Sequence, residues 1–584
     1  MNPAEPADPL VPASALPEIS SPPTEDNPTN LPAEESLVSE GDSTMVETDV
    51  ADLSNDILIP PEAPALDISA STSQLNFEWE ATSDDAVVSL IQNDRLSRET
   101  TVIASGFEPR VNTFTLPVSP LVFQWQSTEF ILEVCEQGDC LRSFSIPVDT
   151  LTNDSIARLE DETPAAFDFF GATLSSAADG RIILIGTPGA DVTLDDTLIS
   201  DSFSTPDSGE VSLLFEVEDI WFPGAQLQSA IAFENAQFGF SIAADLNADN
   251  IVIGAPGDSH QEELAGSAYT FIRAGETWVQ SSELQPGITR AFADFGHAVA
   301  MSDDRQIIAV AAPGDPNASN DPFSSDESLV NAGSVSIYRY DPFIDEWLFS
   351  DYLQTDFAES GARFGETLSM SADGSVLAVS APGSVEGEEQ TNIGSVYLFE
   401  LANAGARQLQ KFTAQSIPDS AGAATSVTGA IEFGADLDLS ADASTLIIAS
   451  LDKRENPRQS GFDGEKPQTE IQIFQRNQAL EFERMSSITP SGDHGKQSEL
   501  SLAISGNGEL IATGVLQSSG DNNSLSIHEL KDTDSENSNG QWVMINNFEQ
   551  PLVGAINFGS SLTFAVGGDR LFVGADGAGV VFVY

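Results

Sequence analysis

The sequence predicts an all-β chain: a seven-bladed β-propeller over residues 151–584, preceded by a β-sandwich over residues 63–150 and a disordered, acidic, Pro-rich tether over residues 1–62. Three observations carry that prediction. A Phe-Gly pair opens a recurring unit at Phe170, Phe238, Phe295, Phe364, Phe433 and Phe558, and a worn copy starts at Gln497-Ser498, which makes seven. In four units a Pro-Gly closes a fixed frame, because Pro188, Pro256, Pro313 and Pro382 each lie 18 residues after the opening Phe. Successive units start 57 to 69 residues apart, so all length variation falls outside that frame. A rigid kernel with variable connections at this period is the mark of a repeat architecture.

Within the unit opened by Phe364, Thr367-Leu368-Ser369-Met370 alternates, Ala372-Asp373-Gly374 is turn chemistry, and Val376-Leu377-Ala378-Val379 is the apolar run of a buried strand. A third strand follows a glycine, at Gly209, Gly266, Gly333 and Gly394, and a fourth often begins near a tryptophan, at Trp278, Trp347 and Trp542. Four antiparallel strands repeated seven times describe a propeller, whose radial arrangement leaves only short, protected edges. The chain reaches only a third strand at Gly579–Tyr584 in its seventh unit, so Ile156-Ala157-Arg158-Leu159, just before the first Phe-Gly, is expected to supply the fourth.

Phe-Gly, about 15 residues and then Gly-Ala-Pro, as at Gly254-Ala255-Pro256, resembles the FG-GAP repeat, the blade unit of the integrin α-subunit head and of many bacterial surface and secreted proteins. The resemblance covers residues 155–584. It implies a calcium-binding turn between the first two strands, and Asp245, Asn247 and Asp249 match the opening of that loop, although Ile251 follows where the family has a further acidic ligand. Asp436-x-Asp438-x-Ser440-x-Asp442 is a second partial match with the same truncation. Calcium takes 6–8 oxygen ligands, so a solvated turn is the alternative.

Residues 1–62 are rich in Pro, Glu, Asp and Ser, and the first 60 contain no Lys or Arg, a composition that buries too little apolar area to offset its ordering entropy. Such a tether ahead of export-type domains reads as the mature form of a secreted protein or lipoprotein whose leader is absent from this chain. From Pro64, short strands are expected at residues 65–68, 75–79, 87–91, 112–116, 130–134 and 141–146. This region resembles a fibronectin type III or related immunoglobulin-like module. The only cysteines, Cys135 and Cys140, flank a turn in the last hairpin; a disulfide is expected, placing the chain outside the reducing cytosol, with two free thiols as the alternative.

The net charge is −70, from 92 acidic against 22 basic residues. A phosphate binder needs a basic footprint, so nucleic acid is excluded as a partner, and an anionic membrane would repel the chain. His260, His297, His494 and His528 show no metal-ligand or triad spacing, and no catalytic residue is nominated. The chain is therefore expected not to be an enzyme but an extracellular or cell-envelope binding and adhesion module; a carbohydrate-binding or carbohydrate-degrading protein and a structural envelope component are the alternatives. In an up-and-down blade the second-to-third connections share one face, and here they are the variable ones. Asp191, Asp195, Asp196, Asp258, Asp315, Asp321, Asp326 and Glu327 lie on them and are expected to form an acidic rim for a protein or glycan ligand, solvated loops being the alternative.

Overall fold

Middle strands of four-stranded sheets that stack face to face are covered on both sides, which is why they read as unbroken apolar runs. In the computed structural model, Ile182–Thr187, Asn250–Ala255, Ile307–Ala312 and Val376–Ala381 are second strands in which every residue is buried. The structure describes residues 64–584 apart from 81–82, 84, 108–110, 162–166, 195–202, 356–357, 387–390, 415–430, 453–468, 478–480, 491–498, 517–522, 532–539 and 552–555. The tether expected over residues 1–62 lies outside the described residues.

Among the described residues there are seven four-stranded antiparallel sheets beyond those of residues 66–147, which we number I to VII. Sheet I comprises Thr173–Ala177, Ile182–Thr187, Glu210–Val217 and Ile220–Leu227. Sheets II, III and IV start with Ser241–Ala244, Val299–Met301 and Leu368–Met370, and sheets V, VI and VII with Ile431–Leu439, Glu499–Ile504 and Phe558–Phe564. In sheets I to VI the strands follow chain order. Sheet VII draws its fourth strand from Ala157–Glu160, which pairs antiparallel with Val580–Val583, Leu159 facing Val581. Outer strands alternate, as in Glu346–Leu353, where one face meets solvent.

The first strands of all seven sheets line a single cavity of about 380 Å³. At the end where these strands turn back, backbone bonds pass from sheet to sheet: the amides of Ala178, Leu246, Asp303, Ala372 and Ala441 donate to the carbonyls of Leu246, Asp303, Ala372, Ala441 and Gly506. Sheet VII abuts sheet I, with Ser561 donating to the Gly171 carbonyl (2.6 Å) and Ser176 to that of Phe564 (2.5 Å). The result is a propeller-like, nearly all-β molecule.

Residues 66–147 form a three-stranded and a five-stranded sheet, packed through the Phe77–Phe130 ring contact at 4.8 Å. One strand, Thr100–Ser105, was not expected; its Thr-rich, largely exposed face carries no apolar alternation. Cys135 and Cys140 are opposite each other in the Thr128–Glu136/Asp139–Arg142 register and are joined as a disulfide. This region rests on sheet VI, where the buried Asn546 amide donates to the carbonyls of Leu121 (2.7 Å) and Phe123 (3.2 Å). Among the described residues no helix is long and apolar enough to cross a membrane.

The terminal clasp makes a testable demand. Leu159 is buried with Phe170, Phe572 and Val581, so deleting residues 151–162 strips a strand from sheet VII and uncovers its neighbour. The expected outcome is a loss of about 3 kcal/mol or more, read as a sharp fall in melting temperature; an unchanged melting temperature counts against a closed array.

Candidate functional site

The second-to-third connections of sheets II and III, residues 256–266 and 313–333, are described throughout. Each is pinned from below by the residue that follows its Pro-Gly. Asp258 is 2 % exposed and accepts bonds from the Tyr269 hydroxyl (2.5 Å), the His260 amide (3.0 Å) and the His260 ring (2.8 Å). The other ring nitrogen of His260 lies 3.1 Å from Glu283, and the ring stacks on Phe233. Asp315 is 3 % exposed and accepts from Ser334 (2.6 Å), Tyr352 (2.8 Å) and the Asn317 amide (3.0 Å). It also faces the buried Arg290 guanidinium at 3.5 Å, which in turn donates to the carbonyls of Pro322 and Ser324 within the same loop.

Asp258 and Asp315 therefore are not rim residues as expected. A carboxylate just past the tight Pro-Gly turn is directed at the loop's own amides and at hydroxyls of the following strands, and full hydrogen bonding makes its burial tolerable. Ser384 holds the equivalent place in sheet IV, bonding Ser395 at 2.7 Å without a charge. Asp191, Asp321, Asp326 and Glu327 are exposed, and the first three cap backbone amides of Asp207, Phe323 and Ser328. Asp195 and Asp196 lie outside the described residues.

Beside these loops, where the first strands begin, the residues after Phe-Gly in sheets II, III and IV meet across neighbouring sheets. Phe240 packs on His297 with ring centroids 5.0 Å apart, and His297 Nε2 lies 3.9 Å from Glu366 Oε2. Burial, reinforced by the Arg363 charge, pushes the His297 imidazole down to about 4. Burial raises the Glu366 and Asp294 carboxyls despite Arg363, which is ion-paired with Glu366. His297 is thus a neutral imidazole near pH 7, and its contact with Glu366 is not an ion pair. Sequence reading missed this cluster, although its members share one position of the repeat. Perturbed titratable groups gathered at one mouth are a recurrent mark of functional sites.

The residues implied for calcium do not make a cation cage. One Asp245 oxygen accepts from the Asp249 amide (2.8 Å) and the other from the Asn250 side chain (2.5 Å), so the turn uses the carboxylate itself. Asp249 is turned toward Arg273 at 3.5 Å, and Asn247 is exposed. In sheets III to VI a serine takes the place of Asp245: Ser302, Ser371, Ser440 and Ser505 each bond the acid or amide two residues on and the amide five residues on. Asp436 and Asp438 are not turn residues but first-strand residues, accepting from the Leu502 and Ile504 amides of sheet VI at 2.9 Å. Burial pushes the Asp436 carboxyl up to about 7, against the Leu502 and Leu437 amides that favour its charged form.

Two measurements test these assignments. Asp315→Ala leaves the Arg290 charge buried and uncompensated, so it is expected to cost about 3–5 kcal/mol in denaturant unfolding, whereas Asp321→Ala costs under about 0.5 kcal/mol. Burial also pushes the His528 imidazole, in the third strand of sheet VI, down to about 4. It binds fewer protons folded than unfolded between about pH 4 and its unfolded value near 6.5, so its contribution to stability is lost as pH falls through that window. In His528→Leu the fall in stability between pH 7 and 4.5 should be shallower by roughly 1–3 kcal/mol.

Comparison with known proteins adds the following. A family model described as FG-GAP repeat matches residues 232–271, the sheet II unit. No curated protein matches the chain. A solved structure from a study of two prolyl endopeptidases and the role of inter-domain dynamics in their catalysis and specificity aligns with 80 % of this chain and 47 % of that one, at 10 % identity and a TM-score of 0.33. This chain thus spans about half the length of that structure. Because that match is with enzymes, the expectation that the chain is not an enzyme is withdrawn, and a likeness this low assigns it no activity either. With an FG-GAP repeat and many four-stranded antiparallel sheets, the chain carries the features of a β-propeller.

Proposed function

We propose that sheets I to VII are the blades of one integrin-α-like FG-GAP propeller and that its loop face binds a protein partner outside the cell or at the cell envelope. A fibronectin type III-like module over residues 63–150 precedes it in the chain. The observation that carries this reading is the pinning of the 313–333 loop: Arg290 and Asp315 fix it from beneath, while Asp321, Asp326 and Glu327 stand exposed above. Preorganised loops lose little freedom on binding, which is where affinity is gained. An exposed acidic set on a chain of net charge −70 favours a partner with a basic surface, recruited faster at low salt.

The test is capture of the partner from native surface extract by the full chain, its identification by mass spectrometry, and titration of the purified pair. Replacing Asp321, Asp326 and Glu327 together by Ser is expected to weaken binding about tenfold or more and to leave the melting temperature within about 2 °C. If affinity survives that change but is lost on altering Asp179, Asp249 and Asp373 at the opposite turns, the loop-face reading is wrong.

A further inference from the structure

Where the sandwich meets sheets I and VII there is a cleft of about 540 Å³. Its walls come from three sources: segments 72–74 and 117–120 of the sandwich, the 216–221 hairpin of sheet I, and residues 569–570 and 583–584 of sheet VII with Ala157 of the clasp. Small-molecule sites fall in this size range and favour junctions between domains. The cleft is built from hairpin tips that connect third to fourth and first to second strands, so it lies away from the loop face.

Its chemistry is specific. Trp221 lines it, and its indole packs nearly perpendicular to the Phe572 ring with centroids 5.7 Å apart. Arg570 donates to Glu216 (3.2 Å) and to the Gly180 carbonyl (3.3 Å), with Asp219 at 4.0 Å; Glu216 also accepts the Asp219 amide at 2.6 Å. The charged groups are thereby fixed against one another. The sandwich side adds the Gln74 amide and the Ser119 hydroxyl, both half-buried. Tyr584, which also lines the cleft, is 3 % exposed, and its hydroxyl has no hydrogen-bond partner among the described residues.

We propose that this cleft binds an uncharged saccharide. A sugar presents an apolar C–H face and a ring of hydroxyls, and it needs a fixed aromatic plane beside closely spaced donors and acceptors, which Trp221 and the Gln74, Ser119, Arg570 and Glu216 groups provide. Three carboxylates, Glu216, Asp219 and Asp569, against the single Arg570 oppose a phosphate or sulfate. A cationic peptide would need those carboxylates free, and two of the three are engaged with Arg570. The site is independent of the partner surface on the loop face.

The experiment is a glycan array probed with the full chain, followed by calorimetric titration of the best neutral oligosaccharide on wild type, Trp221→Ala and Ser119→Trp. Trp221→Ala removes the aromatic plane and Ser119→Trp fills the cleft from the sandwich side without touching the propeller core. Both are expected to weaken binding about tenfold or more, with little change between 50 and 500 mM NaCl, and the Asp321/Asp326/Glu327→Ser chain is expected to bind as wild type. The proposal is overturned if no neutral glycan binds, if affinity is unchanged in both cleft variants, or if the bound species is displaced by poly-lysine and lost at high salt, which identifies a cationic occupant instead.

Discussion

Neighbouring sheets in this molecule touch backbone to backbone. A Cβ added at Gly333, which opens the third strand of sheet III, would sit 2.2 Å from the carbonyl oxygen of Phe364, the residue that starts the next unit, and one added at Gly254 would sit 1.9 Å from the Gly296 carbonyl. No side chain fits either gap. The same approach recurs where sheet VII meets sheet I, Gly574 against the Gly171 carbonyl at 2.2 Å. The Phe-Gly and closing-glycine signatures are therefore statements about contact between units more than about turns within one. The phenylalanine is the counterpart of this gap: Phe238, Phe295, Phe364, Phe433 and Phe558 are among the largest fully buried side chains, filling the wedge that the glycines hold open.

Close stacking creates a second requirement. First strands present an unpaired edge toward the axis, and an edge amide or carbonyl cut off from water costs free energy unless it finds a partner. Hydroxyls meet much of that demand: Ser241 donates to the Gly296 carbonyl (2.7 Å) and Ser501 to that of Gly559 (2.5 Å). Between sheets V and VI the edge amides of Leu502 and Ile504 instead find Asp436 and Asp438. Carboxylates there carry a desolvation cost, visible in the raised Asp436 pKa, that serines elsewhere avoid. Part of the acidity of this chain is in this sense structural mortar and not surface charge.

That distinction was not legible in the sequence. Spacing and pattern located the repeats, the buried second strands and a clasp strand at residues 156–159, one residue off the observed Ala157–Glu160, because each depends on local pattern or on a count of strands. Asp258 and Asp315 were misplaced because nothing local separates an acid that caps its own loop from one that points to solvent. Their partners Tyr269, Tyr352 and Arg290 are distant in the chain or look like ordinary strand and linker residues. The Phe240, His297 and Glu366 cluster is assembled from three different units, so it exists only once the units are stacked. Its one available signal was the shared position after Phe-Gly, which holds Ala172 in the first unit and Ala435 in the fifth.

The buried anchors also bear on how such a chain can vary. Loop 313–333 draws most of its order from Arg290, Asp315, Asn317 and Gln354, whose bonds run to backbone or to buried side chains, while the exposed Asp321 and Asp326 add only local caps on the Phe323 and Ser328 amides. Changing the exposed set alters the surface potential while the loop path stays fixed. Changing an anchor leaves a partner buried without compensation and is felt as lost stability. Under the proposed function, recognition and folding would then be carried by different residues of the same loop, and the exposed set could change its partner without exposing the buried anchors.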